Sequence, residues 1–447
     1  MQVRRSLLGL SFTVSSICLP AVAVADPGEG FQVERYEVAL RPDVQSGAVS
    51  VHEVVRIETT IADLRSLVFS PNSLDVADAR MQGEPLTVTS REDGIEFVLP
   101  QALRKGDKVE LSFSLTGFPR KGTTLTPAGM HTGYFTCDWM VCLQDSPGDK
   151  ADLHLDLYLP AALKSVGVGE RYALIELGDG LQLHRYRSLT PTSAYLFGFA
   201  AGRYLEQSLE TPHGTLRYLD ATGGHTPLVD QFDETPAMVT FFAYRAGLDL
   251  PGRAYAQLLV PGREAQETMS FSLIGKGELD REGEDPTSAW VIAHELAHQW
   301  WGNSVTSETW RDFWLNEGFA TFMVAAWKEH RFGDAAYQQE LDVFRNRRKQ
   351  LQERGWDKPL TWNGDYPSLA YRRAVQYSKG ALFLATLRET IGDEAFWRGV
   401  RSYTRLHNGG TVTSADFQRA MEKASGRDLT PLFDEWVYGG GRFDDRD

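Results

Sequence analysis

The spacing of hydrophobic positions changes along this chain. Between residues 31 and 205 it follows a period of two. Val109, Leu111, Phe113 and Leu115 alternate with polar neighbours, Leu153, Leu155, Leu157 and Leu159 do the same, and Val51, Val54 and Ile57 form a looser run. That period belongs to strands with one buried face, so the segment predicts a β-rich unit. Residues 206–280 are mixed. From 285 to 438 apolar residues fall three and four apart, as on helices packed against a core. One helix is placed by Asp285-Pro286, an N-cap followed by proline at the first helical position. Behind it come Trp290, Val291, Ala293, Leu296, Ala297 and Trp300. A second starts near Asn316 and runs through Phe319, Phe322, Met323 and Ala326. There is no internal repeat and no low-complexity linker.

The first 25 residues read as an export signal, with Arg4 and Arg5, an apolar stretch from Leu7 to Leu19, and Ala23-Val24-Ala25 before Asp26. The expected location is therefore periplasmic or secreted. Arg4-Arg5-Ser6-Leu7-Leu8 also resembles a twin-arginine signal, which leaves the export route open. About 420 residues follow, enough for two or more domains. The formal net charge of −14 becomes more negative once the two signal arginines are removed. This argues against nucleic acid and anionic membrane surfaces as partners, and no membrane span is expected after signal removal. Cys137 and Cys142 are too few for a disulfide framework; they either close a C-x4-C loop or stay as buried thiols. Residues 439–447, Gly-Gly-Gly followed by a charged run, read as a frayed tail.

The densest chemistry lies in His294-Glu295-Leu296-Ala297-His298, with an acid downstream at Glu317. Histidines at i and i+4 share one helix face, so both can bind one metal ion, and Glu295 points into the same cleft as a general base. The remaining histidines are scattered and lack ligand spacing.

The segments His294-Glu295-Leu296-Ala297-His298-Gln299-Trp300-Trp301-Gly302-Asn303 and Trp314-Leu315-Asn316-Glu317-Gly318-Phe319-Ala320 resemble the gluzincin aminopeptidases, the family of aminopeptidase N and leukotriene hydrolase. The resemblance implies one Zn2+ held by His294, His298 and Glu317, with Glu295 as the base. Tyr377-Ser378-Lys379-Gly380-Ala381 is similar to the family's Tyr-x-Lys-Gly segment, which implies that Tyr377 stabilises the oxyanion. Residues 193–202 resemble the last strand of the family's N-terminal β-domain. The implied fold is α+β and multidomain: an N-terminal antiparallel β-sandwich or saddle over residues 26–205, then a thermolysin-like catalytic domain over 206–438.

Two departures bear on specificity. The family's Gly-x-Met-Glu-Asn motif, whose glutamate binds the substrate's α-ammonium, is missing. At the matching distance stand Met269, Ser270 and Phe271, with Glu267 in place of the glycine. These three are the candidate substrate-binding residues. Glu267 is expected to face away from where Ser270 points, because residues three apart on a strand lie on opposite faces, unless a bulge intervenes. In addition, the resemblance ends at Phe433-Asp434-Glu435-Trp436, without the large helical domain that usually follows. Asp138 is a second candidate for the amine, weighed against an ordinary loop aspartate. Arg372-Arg373 either binds a substrate carboxylate or forms a solvated helix face. The expected function is a zinc-dependent metallopeptidase acting on peptide or protein substrates and tolerating N-blocked, modified or internal sites. The alternatives are a conventional aminopeptidase with a substitute amine anchor, a non-catalytic zinc-containing binding protein, and hydrolysis of a non-peptide bond.

Overall fold

The computed structural model describes residues 25–224, 227–283 and 290–439. Residues 1–24 of the expected signal, the Asp285-Pro286 cap and the tail beyond Gly439 lie outside the described residues.

The period-two segments are strands. β1 (Phe31–Pro42), β2 (Val49–Thr59), β3 (Lys108–Gly117) and β4 (Lys150–Pro160) form the middle of a nine-stranded sheet in the order β4-β1-β2-β3. Tyr36, Val55 and Leu111 stand in one register row, and Val38, Glu53 and Phe113 in the next. A three-stranded sheet packs over this face, with Phe97 5.1 Å from Phe113 between ring centroids, so the unit is layered sheet on sheet. Two sequence expectations need correction. Val54 is out of phase: β2 buries Val49, Val51, Val55 and Ile57, and the in-phase position is the buried acid Glu53. The sheet is also not wholly antiparallel, since β1 and β4 pair in parallel. More than a hundred residues separate these two strands, ample for the crossover a parallel pair requires.

Cys137 and Cys142 are joined as a disulfide and buried in the core of this β-unit, so they do not front the cleft described below. Asp138 is a loop aspartate. It accepts the backbone N–H groups of Lys121 (2.6 Å) and Gly122 (2.9 Å) and the hydroxyl of Ser73.

A separate five-stranded sheet begins at Leu205. Its strands β5 (Leu205–Thr211), β6 (Gly214–Asp220), β7 (Ala254–Val260), β8 (Ala265–Gln266) and β9 (Phe271–Gly275) run in the order β5-β6-β7-β9-β8. β6, β7 and β9 are parallel, and the short edge strand β8 is antiparallel to β9. The 3.6-period segments supply α1 (Thr235–Ala246), α2 (Trp290–Ala297), α3 (Trp314–Phe332), α4 (Asp334–Glu353), a π-helix (Arg373–Lys379), α5 (Gly380–Ile391), α6 (Asp393–Leu406) and α7 (Ser414–Ser425). Their shared core is aromatic, with Trp300, Trp301, Trp314, Phe319 and Phe322 all essentially buried. Trp301 stacks on Phe319 at 5.8 Å, which ties the turn after α2 to α3.

The β-unit and the helical unit are tied beside this turn. Lys150 on β4 donates to the carbonyls of Ser304 (3.2 Å) and Gly410 (3.0 Å), and Asn316 on α3 donates to the Tyr195 hydroxyl (3.0 Å). Among the described residues no helix is long and apolar enough to cross a membrane.

Candidate metal and peptide site

Helix α2 ends at Ala297, but His298 N–H still donates to His294 O (3.2 Å), so one further turn keeps both histidines on one face. Glu317 comes from the first turn of α3. His294 Nε2 and His298 Nε2 are 3.1 Å apart, and Glu317 Oε2 lies 3.2 Å from the first and 3.4 Å from the second. All three residues are buried. A tetrahedron with metal–ligand bonds of about 2.0–2.1 Å has edges of roughly 3.3–3.4 Å, so this triangle has the size of three zinc ligands with the fourth position open.

The second ring of contacts fixes these donors. His298 Nδ1 lies 3.1 Å from the carbonyl of Trp301, which holds the Nδ1–H tautomer and leaves Nε2 for a metal. Gly302 makes this possible: a Cβ there would sit 2.8 Å from His298 Nδ1 and would need φ +129°. The His294 ring is held parallel between Trp290 (4.4 Å) and Tyr377 (5.8 Å). Tyr377 Oη donates to Glu317 Oε1 at 2.7 Å. That contact depends on close packing of α3 against the π-helix and α5, where a Cβ on Gly318 would meet Gly380 Cα at 3.0 Å.

The charges in the site interact strongly. Burial alone would lower His298, but the Glu317 carboxylate overrides it and pushes His298 up to about 10. Burial opposes ionisation of Glu317 as well, yet His298 and His294 hold it well below the usual carboxylate range. Both shifts favour Glu317 as an anion facing the two imidazoles. Burial pushes Glu295 well up, and Glu267 and Glu317 add to this against the pull of His298. Its Oε2 has no hydrogen-bond partner, leaving one carboxylate oxygen free to take a proton. Burial also raises the Tyr377 phenol, so it remains a donor at neutral pH.

These groups open on a cavity of about 800 Å³ that is also lined by Glu267, Trp290, Glu340, Arg347 and Arg373. The candidate substrate-binding side chains do not line it. Met269 is buried in the core of the N-terminal unit, and Phe271 packs among Leu258, Leu273 and Ala200. Ser270 faces a different cavity of about 250 Å³, where its hydroxyl accepts Gly169 N–H at 3.1 Å. Glu267 lines the cavity of the metal donors instead, near enough for its charge to act on His298. The connection from β8 to β9 is a turn rather than a strand, with Ser270 at φ +74°. Ordinary strand alternation thus stops there. Residues 267 and 270 do face opposite ways, but it is 267 that faces the site.

Two side chains from the turn after α2 hold this connection. Gln299 accepts Ser270 N–H (2.9 Å) and donates to Thr268 O (3.2 Å), while Asn303 donates to Glu267 O (2.7 Å). Sequence reasoning missed these roles. The available signal was the presence of two buried amides within five residues of His298.

Fold and donor set together define a gluzincin-type, single-zinc centre on a two-domain α+β frame. Residues 269–436 match the peptidase family M1 domain. The chain is 25% identical to leukotriene A-4 hydrolase of Xenopus laevis over 440 residues, covering 89% of this chain and 70% of that protein. It is 22% identical to aminopeptidase 2 of Candida albicans over 447 residues, covering 91% of this chain and 47% of the relative. It thus spans about half the length of the Candida protein. In three dimensions it is similar to an M1 zinc metallopeptidase from Deinococcus radiodurans crystallised with the substrate Tyr-Ser-Ala. There the TM-score is 0.75 at 22% identity, over 94% of this chain and 96% of that one. The segment that matches the peptidase family M1 domain, residues 269–436, contains His294, Glu295, His298, Glu317 and Tyr377.

Proposed function

We propose that the protein is a zinc aminopeptidase that removes N-terminal residues from peptides, with Glu267 as the anchor for the free α-ammonium. The observation that carries this reading is the carboxylate of Glu267 in the cavity of the metal donors. A half-buried carboxylate whose pKa is raised by desolvation is stabilised as the anion by an incoming ammonium. This favours the conventional aminopeptidase with a substitute anchor over tolerance of blocked N-termini. The similarity to a peptidase crystallised with a tripeptide supports it.

Zinc bound to His294, His298 and Glu317 supplies a Lewis acid that polarises a carbonyl oxygen and acidifies water. The chain's own groups do the rest. Glu267 fixes the amine, so the first peptide carbonyl lies next to the donors. Glu295, with one oxygen free, takes a proton from the attacking water and returns it to the leaving amine. Tyr377 keeps its proton and donates to the developing oxyanion, exchanging its bond to Glu317 for one to substrate. Intact Glu295 and Tyr377 weigh against a non-catalytic binder. The Cys137–Cys142 disulfide supports export to an oxidising compartment.

The test compares a peptide with its N-acetylated form. We expect cleavage of the free-amine peptide only, one residue at a time, by mass spectrometry. Equal cleavage of both forms would sink the proposal.

A further inference from the structure

The arginine pair in the sequence splits between two cavities. Arg372 pairs with Gln376 (2.8 Å), lies 5.1 Å over Phe313, and lines a neighbouring cavity of about 500 Å³ together with Gln376. Arg373, one position on, lines the metal cavity with Tyr377, which follows it by about one helical turn.

The charges around that cavity are mostly accounted for. Arg263 and Arg281 both pair with Glu278, and Glu340 pairs with Lys328 at 2.9 Å. Two cations are not. Arg347 on α4 donates only to the neutral hydroxyl of Ser378 (3.1 Å). Arg373 is exposed to the cavity and has no hydrogen bond or ion pair among the described residues. The cavity thus carries charge of both signs beside the metal donors: Glu267 from the connection between β8 and β9, and two uncompensated guanidinium groups, Arg347 from α4 and Arg373 from the π-helix. An unpaired guanidinium presents a planar fork of N–H donors that matches a carboxylate.

We infer that Arg373, with Arg347 beside it, forms a carboxylate-binding position downstream of the scissile bond. This rests on the aminopeptidase reading above. A short peptide is a zwitterion, with its ammonium at one end and its carboxylate a few residues away at about 3.3–3.6 Å per residue. Such a substrate offers an ammonium to Glu267 and a carboxylate to Arg373 and Arg347 at once. The carboxylate comes either from the C-terminus of a short peptide or from an acidic side chain just after the cleaved bond.

Kinetics of the zinc-loaded enzyme separate these sources. One arm compares Ala-Ala-Ala with Ala-Ala-Ala-amide. The other compares Ala-Asp-Ala-Ala-amide with Ala-Asn-Ala-Ala-amide. In the wild type we expect kcat/KM to favour the carboxylate-bearing member of at least one pair by about tenfold. The pair showing the preference identifies the source. In Arg373→Gln the ratio should fall to within twofold, and Arg373→Lys should retain part of it. Because each ratio is internal to one variant, an overall change in activity does not obscure it. Cleavage of all four peptides without preference overturns this inference and leaves the aminopeptidase reading intact. A preference undiminished in Arg373→Gln also overturns it. Failure to cleave any of the four overturns both.

Discussion

Glu267→Gln is the substitution that bears most directly on how this protein selects its substrate. The change keeps the length and shape of the side chain, and removes the charge. The backbone at this position is held independently, by Asn303 on Glu267 O and by Gln299 on Ser270 N–H and Thr268 O. The fold should therefore persist, and the loss should be confined to the ammonium contact. Removing one member of an enclosed, hydrogen-bonded charge pair costs roughly 2–5 kcal/mol. Glu267 is half-buried rather than fully enclosed, so the lower half of that range applies, about 2–3.5 kcal/mol. That corresponds to a fall of roughly 30- to 400-fold in kcat/KM. The assay is steady-state hydrolysis of a free-amine tripeptide, with metal content and Tm measured alongside. A second variant sharpens the test. Adding Ser270→Glu to Glu267→Gln restores the residue type expected one position after the matched methionine. Position 270 faces Gly169 and a separate cavity, so activity should not return. Less than a threefold effect of Glu267→Gln, or rescue by Ser270→Glu, would refute the placement of the anchor.

Other expectations follow from the packing and charges. In Gly318→Ala the new methyl meets Gly380 Cα at 3.0 Å, pushing α3 from α5 and spreading the Tyr377–Glu317 contact. Thermal denaturation should show a loss of about 1–3 kcal/mol, with kcat reduced more than KM is raised. Glu53 is buried between Val38 and Phe113, and burial raises its pKa well above the ordinary value despite the Val141 N–H it accepts. A raised folded-state pKa stabilises fully below the unfolded value and is lost as pH climbs through the folded one. The urea midpoint of the wild type should therefore fall from pH 5 to pH 8 relative to Glu53→Gln; parallel profiles would refute the assignment. Stripping zinc with a chelator should lower Tm, because a ligand at about a thousand times its Kd contributes about 4 kcal/mol. Zinc should restore the full value, whereas His298→Ala should show no such response.

How much of this was legible in the sequence depends on the range of the contacts involved. His294, Glu295 and His298 lie within about one helical turn, so their spacing alone places them together. Glu317 is close behind on the next helix and was also readable. Tyr377 reaches Glu317 only because Gly318 and Gly380 let two backbones touch; a tertiary contact of that kind is not encoded in any local period, and the family resemblance supplied it. The β-unit was legible as alternation, but the Val54 phase was misread because the in-phase position is occupied by a buried acid, and hydrophobicity cannot signal that. The parallel pairing of β1 and β4 is likewise a property of topology rather than of either strand.

The proposed amine anchor shows the same limit. Counting back from His294 finds Met269, and counting assumes a constant path between the two. The path here includes a left-handed residue at Ser270, and the turn exchanges which side chain meets the cleft. The residues that impose this path are Gln299 and Asn303, which follow the second histidine rather than precede the first. The amides just beyond the histidine helix therefore set the position of residues 267–270 relative to the metal donors. On the proposed reading, specificity and catalysis share one short support, so Asn303→Ala should weaken both the discrimination for a free amine and turnover. A side chain serving only the fold would move Tm and leave the ratio of free-amine to acetylated cleavage unchanged.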